Sequence, residues 1–99
     1  MEPKSGKRLS ERKVFNQPIS FEVSETETGQ FKIVQKKGFG IDISSKGTGI
    51  TTDYALREGD VLKLHLPINE VQTSLPVYAE VMWSKPADSH FRAGLLFLS

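Results

Sequence analysis

The 99-residue chain contains no cysteine. That excludes disulfides, thiolate zinc sites and cysteine nucleophiles, and it suits a reducing cytoplasm. Histidine is nearly as scarce. The two copies, His65 and His90, stand far apart and make a poor start for a metal site. Asp88-Ser89-His90 holds the residue types of a hydrolytic triad, but consecutive residues cannot form one, and no nucleophile elbow is present. No enzymatic activity and no cofactor are therefore expected. Long apolar runs are also missing. None approaches the ~20 residues that would span a membrane, and Met1–Lys7 has no hydrophobic stretch that could serve as a signal peptide. The expectation is a cytoplasmic protein with no membrane partner. A net charge of +1 gives no general pull toward nucleic acid. Segments with helical periodicity, internal repeats and low-complexity tracts are absent as well.

What the chain does have is a succession of short runs with period two. Val14-Phe15 opens the first, and Ile19, Phe21 and Val23 continue it, with Pro18 marking an edge or a bend. Ser24–Gly29 reads as a turn. Phe31 and Ile33 begin a second strand, in which Lys36-Lys37-Gly38 suggests a bulge or loop before Phe39, Ile41 and Ile43. Leu62, Leu64 and Leu66 alternate with Lys63 and His65. Pro76 opens a further strand with Val77, Ala79, Val81 and Trp83 on one face. Ser84–Ser89 reads as a hairpin loop, and Phe91, Ala93, Leu95 and Phe97 form the inward set of the last strand. Five or six short strands with turn chemistry between them predict an all-β antiparallel barrel or sandwich, and closure into a barrel would remove exposed edges. Residues 1–13 carry Lys4, Lys7, Arg8, Arg12 and Lys13 against Glu2 and Glu11, about +3 locally. They read as a flexible basic N-terminal arm, with residues 14–99 as the barrel.

Two short motifs stand out. Gly40-Ile41-Asp42-Ile43-Ser44-Ser45-Lys46-Gly47-Thr48-Gly49-Ile50 reads as a strand end, a tight polar turn and the start of the next strand. Asp42 and Ser44 are two apart and project to one face of an extended segment, leaving Ile41 and Ile43 to enter a core. Gly47 and Gly49 allow positive φ and a close backbone approach. An Asx or Ser/Thr turn capping a hairpin explains these residues without any ligand. Upstream, Arg8-Leu9-Ser10-Glu11-Arg12 places two arginines four apart, and a solvated basic tail is the plain explanation there. Together, RxxxR followed about 30 residues later by DxSxxG resembles the signature of the PilZ domain, a bacterial receptor for cyclic di-GMP. The resemblance extends over nearly the whole chain. Glu80-Val81-Met82-Trp83 and Arg92-Ala93-Gly94-Leu95-Leu96-Phe97 also look like that family's later strands.

The resemblance implies a six-stranded antiparallel barrel that binds cyclic di-GMP through Arg8, Arg12, Asp42, Ser44 and Gly47. Elementary chemistry fits that assignment. The arginine fork matches the O6 and N7 acceptors of guanine, and its plane stacks on a purine or its charge meets a phosphate. An ionised Asp42 only accepts, which suits guanine's N1–H and N2–H₂ donors. Ser44 can accept from that edge or donate to a phosphate, and amides near Gly47 can face the ligand as an anion nest. Lys7, Leu9 and Trp83 are further candidate contacts. A basic residue at Lys7 points in this family to two intercalated ligand molecules. Trp83, the only tryptophan, either stacks on a guanine from the barrel rim or belongs to the core with Val77, Ala79 and Val81. The expected mechanism is an arm that orders on the ligand and changes the surface shown to a downstream protein. Two other readings remain: a small barrel that binds single-stranded nucleic acid, and a PilZ-like adaptor that binds proteins but no nucleotide.

Overall fold

The computed structural model describes residues 13–68 and 73–98. Six strands are present: β1 (Lys13–Glu27), β2 (Gln30–Ile43), β3 (Gly47–Thr52), β4 (Val61–Ile68), β5 (Thr73–Ala87) and β6 (His90–Phe97). They close into a barrel in the order β1-β2-β3-β6-β5-β4, every neighbouring pair antiparallel, with β1 meeting β4. The expected all-β six-stranded barrel is thus the fold. No helix long and apolar enough to cross a membrane occurs among the described residues.

Alternation fills the interior. Phe21, Leu62, Leu64, Ile50, Ala79 and Ala93 are fully buried, and Ile19, Val23, Val81 and Leu95 nearly so. Each large apolar side chain taken from water contributes about 1.5–3 kcal/mol to folding before entropy is counted. Leu56, in the loop after β3, joins the same cluster.

Strand β2 departs from its apparent pattern. Its odd-numbered apolar residues face out: Phe31, Ile33 and Phe39 are 82%, 64% and 42% exposed. The inward positions nearest the barrel are Gly38 and Gly40. They are small because neighbouring strands fill their space, β3 at Gly38 and β1 at Gly40. A Cβ on Gly40 would fall on the Phe15 ring, and one on Gly38 would meet the Thr51 carbonyl at 2.6 Å and approach the Phe21 ring. At Gly40 the interior side chain, Phe15, therefore comes from one strand and the room for it from its neighbour.

Strands run further than turn residues suggest. Ser24–Glu27 continues β1, because Glu25 stands opposite Lys32 and Thr26 opposite Phe31. Only Thr28 and Gly29 make the turn, at φ 49° and 80°, the left-handed pair that a two-residue hairpin needs. The second hairpin is equally tight. Strand β5 reaches Ala87, β6 starts at His90, and Asp88 takes φ 57°. Lys36-Lys37-Gly38 is regular strand, paired with Phe21, Ser20 and Ile19. The irregularities lie at three other places. On β1, Phe15 and Asn16 stand against Ile41 alone, one residue more than the partner strand, with Asn16 at φ 47°; Ile41 is extra on β2 against β3; Met82 is extra on β5. Pro18 follows the first of these and lies beyond the stretch, Ser20–Val23, that β4 reaches, so no ladder donor to β4 is lost.

Candidate ligand-binding face

The three bulges determine which side chains reach the outer wall. The skipped residue Ile41 resets β2, so that Asp42 points out opposite Gly49 while Ile43 turns in opposite buried Thr48. Ile43 packs against the core, whereas Ile41 is not among the residues that do. The expectation that both isoleucines enter the core holds for Ile43 alone. The bulge also breaks the regular ladder, and the Asp42 side chain takes a ladder acceptor's place. Its Oδ1 accepts the Gly49 N–H at 3.0 Å. Gly49 has no side chain to hinder this: a Cβ there would sit 3.0 Å from the same oxygen. The Asp42 backbone carbonyl accepts the Thr48 hydroxyl at 2.6 Å, which satisfies that buried group and fixes the strand beneath the carboxylate.

Ser44 closes the turn. Its N–H donates to the Gly47 carbonyl at 2.9 Å, and its hydroxyl oxygen accepts the Lys46 N–H at 3.2 Å. The turn-capping account thus holds for Ser44. Gly47 is buried, and a Cβ on it would collide with the Leu95 carbonyl of β6. Neither Gly47 nor Gly49 takes positive φ, contrary to expectation; only Gly29 and Gly59 do among the described glycines. Close strand contact, not turn conformation, requires glycine at 47.

The bulge at Met82 corrects a second expectation. Simple alternation puts Trp83 inward with Val81. Val81 does face in, opposite Leu95, but the register then slips and Trp83 falls opposite Gly94 on the outer wall. Its side chain is 40% exposed, so it is not core. The indole lies over Gly94, where a Cβ would collide with it. The Lys85 ammonium stands 5.7 Å from the ring centroid.

Following these pairings across the wall gives one transverse row: Val14 on β1, Asp42 on β2, Gly49 on β3, Gly94 on β6 and Trp83 on β5. The row spans some 14 Å from Asp42 to Trp83, and its two middle members are glycines over which the carboxylate and the indole lie. The next row is Pro18, Phe39, Thr51, Arg92 and Lys85. Sequence reasoning passed over Arg92 and Lys85, although Arg92, two residues before Gly94, was a signal available in the sequence. A groove of about 540 Å³ lies elsewhere, over β1, beside the hydrogen-bonded pair His65 and Glu22. It includes none of Asp42, Ser44, Gly47 or Trp83.

Of the sequence-predicted residues, Asp42 and Trp83 share one row, Ser44 and Gly47 hold the turn beside it, and Lys7, Arg8, Leu9 and Arg12 lie outside the described residues. The chain reaches the described structure next to this row, since β1 begins at Lys13 and its second residue, Val14, is the partner of Asp42.

Among curated proteins, no relative matches the chain. The family model of the PilZ domain matches residues 6–99. The match spans the barrel together with the segment holding both arginines, and the chain belongs to the PilZ domain family, a family of cyclic di-GMP receptor domains.

Proposed function

We propose that this chain binds cyclic di-GMP on the outer wall of the barrel, over the row that runs from Asp42 to Trp83. The observation that carries this reading is the row itself. Two independent bulges, in β2 and β5, bring a carboxylate and an exposed indole onto the same line. The carboxylate suits the donor edge of guanine, and the indole offers a stacking surface for a purine. Arg12 is covalently joined to Lys13, and so is two residues along the chain from Val14, the partner of Asp42. Arg8 lies five residues from Lys13, at most about 18 Å of extended chain. Both arginines can therefore reach a ligand on this row, one for a base edge and one for a phosphodiester. The segment that carries them closes over the ligand and so alters the surface offered to a protein partner. Ser44 and Gly47 act through the turn that positions Asp42.

Calorimetric titration of the full chain with cyclic di-GMP, with GTP and cyclic GMP as controls, tests the reading. Selective, saturable uptake is expected, and its stoichiometry reports whether one or two ligand molecules bind. Asp42→Ala should weaken cyclic di-GMP roughly tenfold and cyclic di-AMP much less, because only guanine presents the donor pair. A folded chain that takes up no cyclic di-GMP defeats the proposal and favours the protein-binding adaptor.

A further inference from the structure

Arg92 and Lys85 face each other directly across β5 and β6, both exposed on the outer wall. Like charges placed directly opposite on an antiparallel pair repel and destabilise the sheet. Nothing on their row offsets this, since the other members are Pro18, Phe39 and Thr51. The hydrogen-bonded contact of His65 with Glu22 lies on another part of the wall. Lys85 meets an aromatic face, that of Trp83, but no carboxylate. The two cations stand one outward step, about 7 Å, from the row of Asp42, Gly49, Gly94 and Trp83.

We infer that Arg92 and Lys85 form an anion-binding pair that receives a phosphodiester of the bound dinucleotide, while Asp42 and Trp83 take the base. The inference rests on the proposed cyclic di-GMP reading and adds to it a division of labour between adjacent rows. A phosphate between the two side chains replaces their repulsion with two charge-assisted contacts. The guanidinium fork of Arg92 holds two phosphate oxygens, whereas Lys85 supplies a point charge. The charge needed for the ligand thus comes partly from the rigid barrel and not only from the arginines of the N-terminal segment.

The test is calorimetric titration of the full chain and of Arg92→Gln, Lys85→Gln and the double variant, each with cyclic di-GMP and cyclic di-AMP. Arg92→Gln should lower affinity for both dinucleotides by about tenfold, and Lys85→Gln by less. The preference for guanine should stay as in the parent, in contrast to Asp42→Ala. The ligand-free Arg92→Gln protein should melt at the parent's temperature or slightly above it, because the repulsion is gone. Parent-like affinity in the double variant overturns the inference and leaves the receptor reading standing. A loss of guanine preference in Arg92→Gln also overturns it, since the arginine would then be reading a base. If the parent itself binds neither dinucleotide, both readings fall together.

Discussion

The proposed binding wall and the free end of the β1–β2 hairpin are built from the same alternating sequence and end differently. On the wall, β3 lies between β2 and β6 and is paired on both sides. Beyond Val23 and Val34 the hairpin has outrun its neighbours, because β4 pairs with β1 only over Ser20–Val23 and β3 with β2 only over Gly38–Ile43. Inside the closed part, alternate residues such as Ile19, Phe21 and Val23 on β1 and Leu62, Leu64 and Leu66 on β4 are buried. On the projecting part, Phe31 and Ile33 stay in water. Alternation fixes which residues share a side, whereas closure of the sheet decides whether that side is an interior.

That contrast can be broken most directly in the core. Leu64→Ala removes a fully buried side chain and should cost about 2–5 kcal/mol in denaturant unfolding. Phe31→Ala, on the projecting hairpin, should stay within about 0.5 kcal/mol of the parent despite deleting a larger side chain. Equal losses would mean that the hairpin packs on something in solution. Two glycines sharpen the comparison at smaller scale. Gly47→Ala drives a methyl group into the Leu95 carbonyl and should cost about 1–3 kcal/mol with disruption of the β3–β6 pairing. Gly29→Ala, at the hairpin tip, meets nothing within 4 Å and suffers only from φ +80°, about 1 kcal/mol. Loss of amide protection around Ile50 and Leu95 in the first variant and not in the second is the distinguishing readout.

The smallest effect concerns the stitch between the two regions. The Tyr54 hydroxyl donates to Glu25 Oε2 at 2.6 Å, its ring meets Phe21 edge-on at 6.4 Å, and the Lys36 ammonium lies 5.2 Å from the ring centroid. Burial, then the hydrogen bond to Glu25 and the charge of that carboxylate, push the phenol from 10.0 to about 12. A pKa raised by folding means that the neutral phenol is favoured in the native state. Its contribution is complete below pH 10.0 and is lost as the pH climbs toward about 12. Denaturation midpoints followed across that window should fall less steeply in Tyr54→Phe than in the parent. An identical decline in both proteins would show that the hydrogen bond to Glu25 adds nothing.

The fold was legible because Ile19, Phe21, Val23 and Leu62, Leu64, Leu66 alternate without interruption, and uninterrupted alternation carries its own register. The wall was legible only in part. Asp42 announced itself by its place in DxSxxG, but its outward aim depends on Ile41 being skipped. Trp83 was assigned by parity, and parity fails at a bulge, since one unpaired residue exchanges the two faces downstream. Nothing in Val81-Met82-Trp83 marks Met82 as the skipped residue. The signal lay on the partner strand, where Gly94 leaves room for an indole and a larger residue would not. Gly38 and Gly40 are similar: what requires glycine lies on a neighbouring strand, the Thr51 carbonyl of β3 at Gly38 and the Phe15 ring of β1 at Gly40. In each case the information belonged to a pair of strands and could not be read from one.

The outward turn of Trp83 also makes the protein report on itself. It is the only tryptophan in the chain. Its ring is partly exposed on the proposed binding wall, and a lysine lies over it. Emission excited at the red edge of protein absorbance therefore arises from a single fluorophore at a known place. A purine that stacks there must displace the Lys85 ammonium and replace water, and each change alters both the intensity and the wavelength of that emission. Occupancy of the wall can be followed without a label, at protein concentrations far below those calorimetry needs.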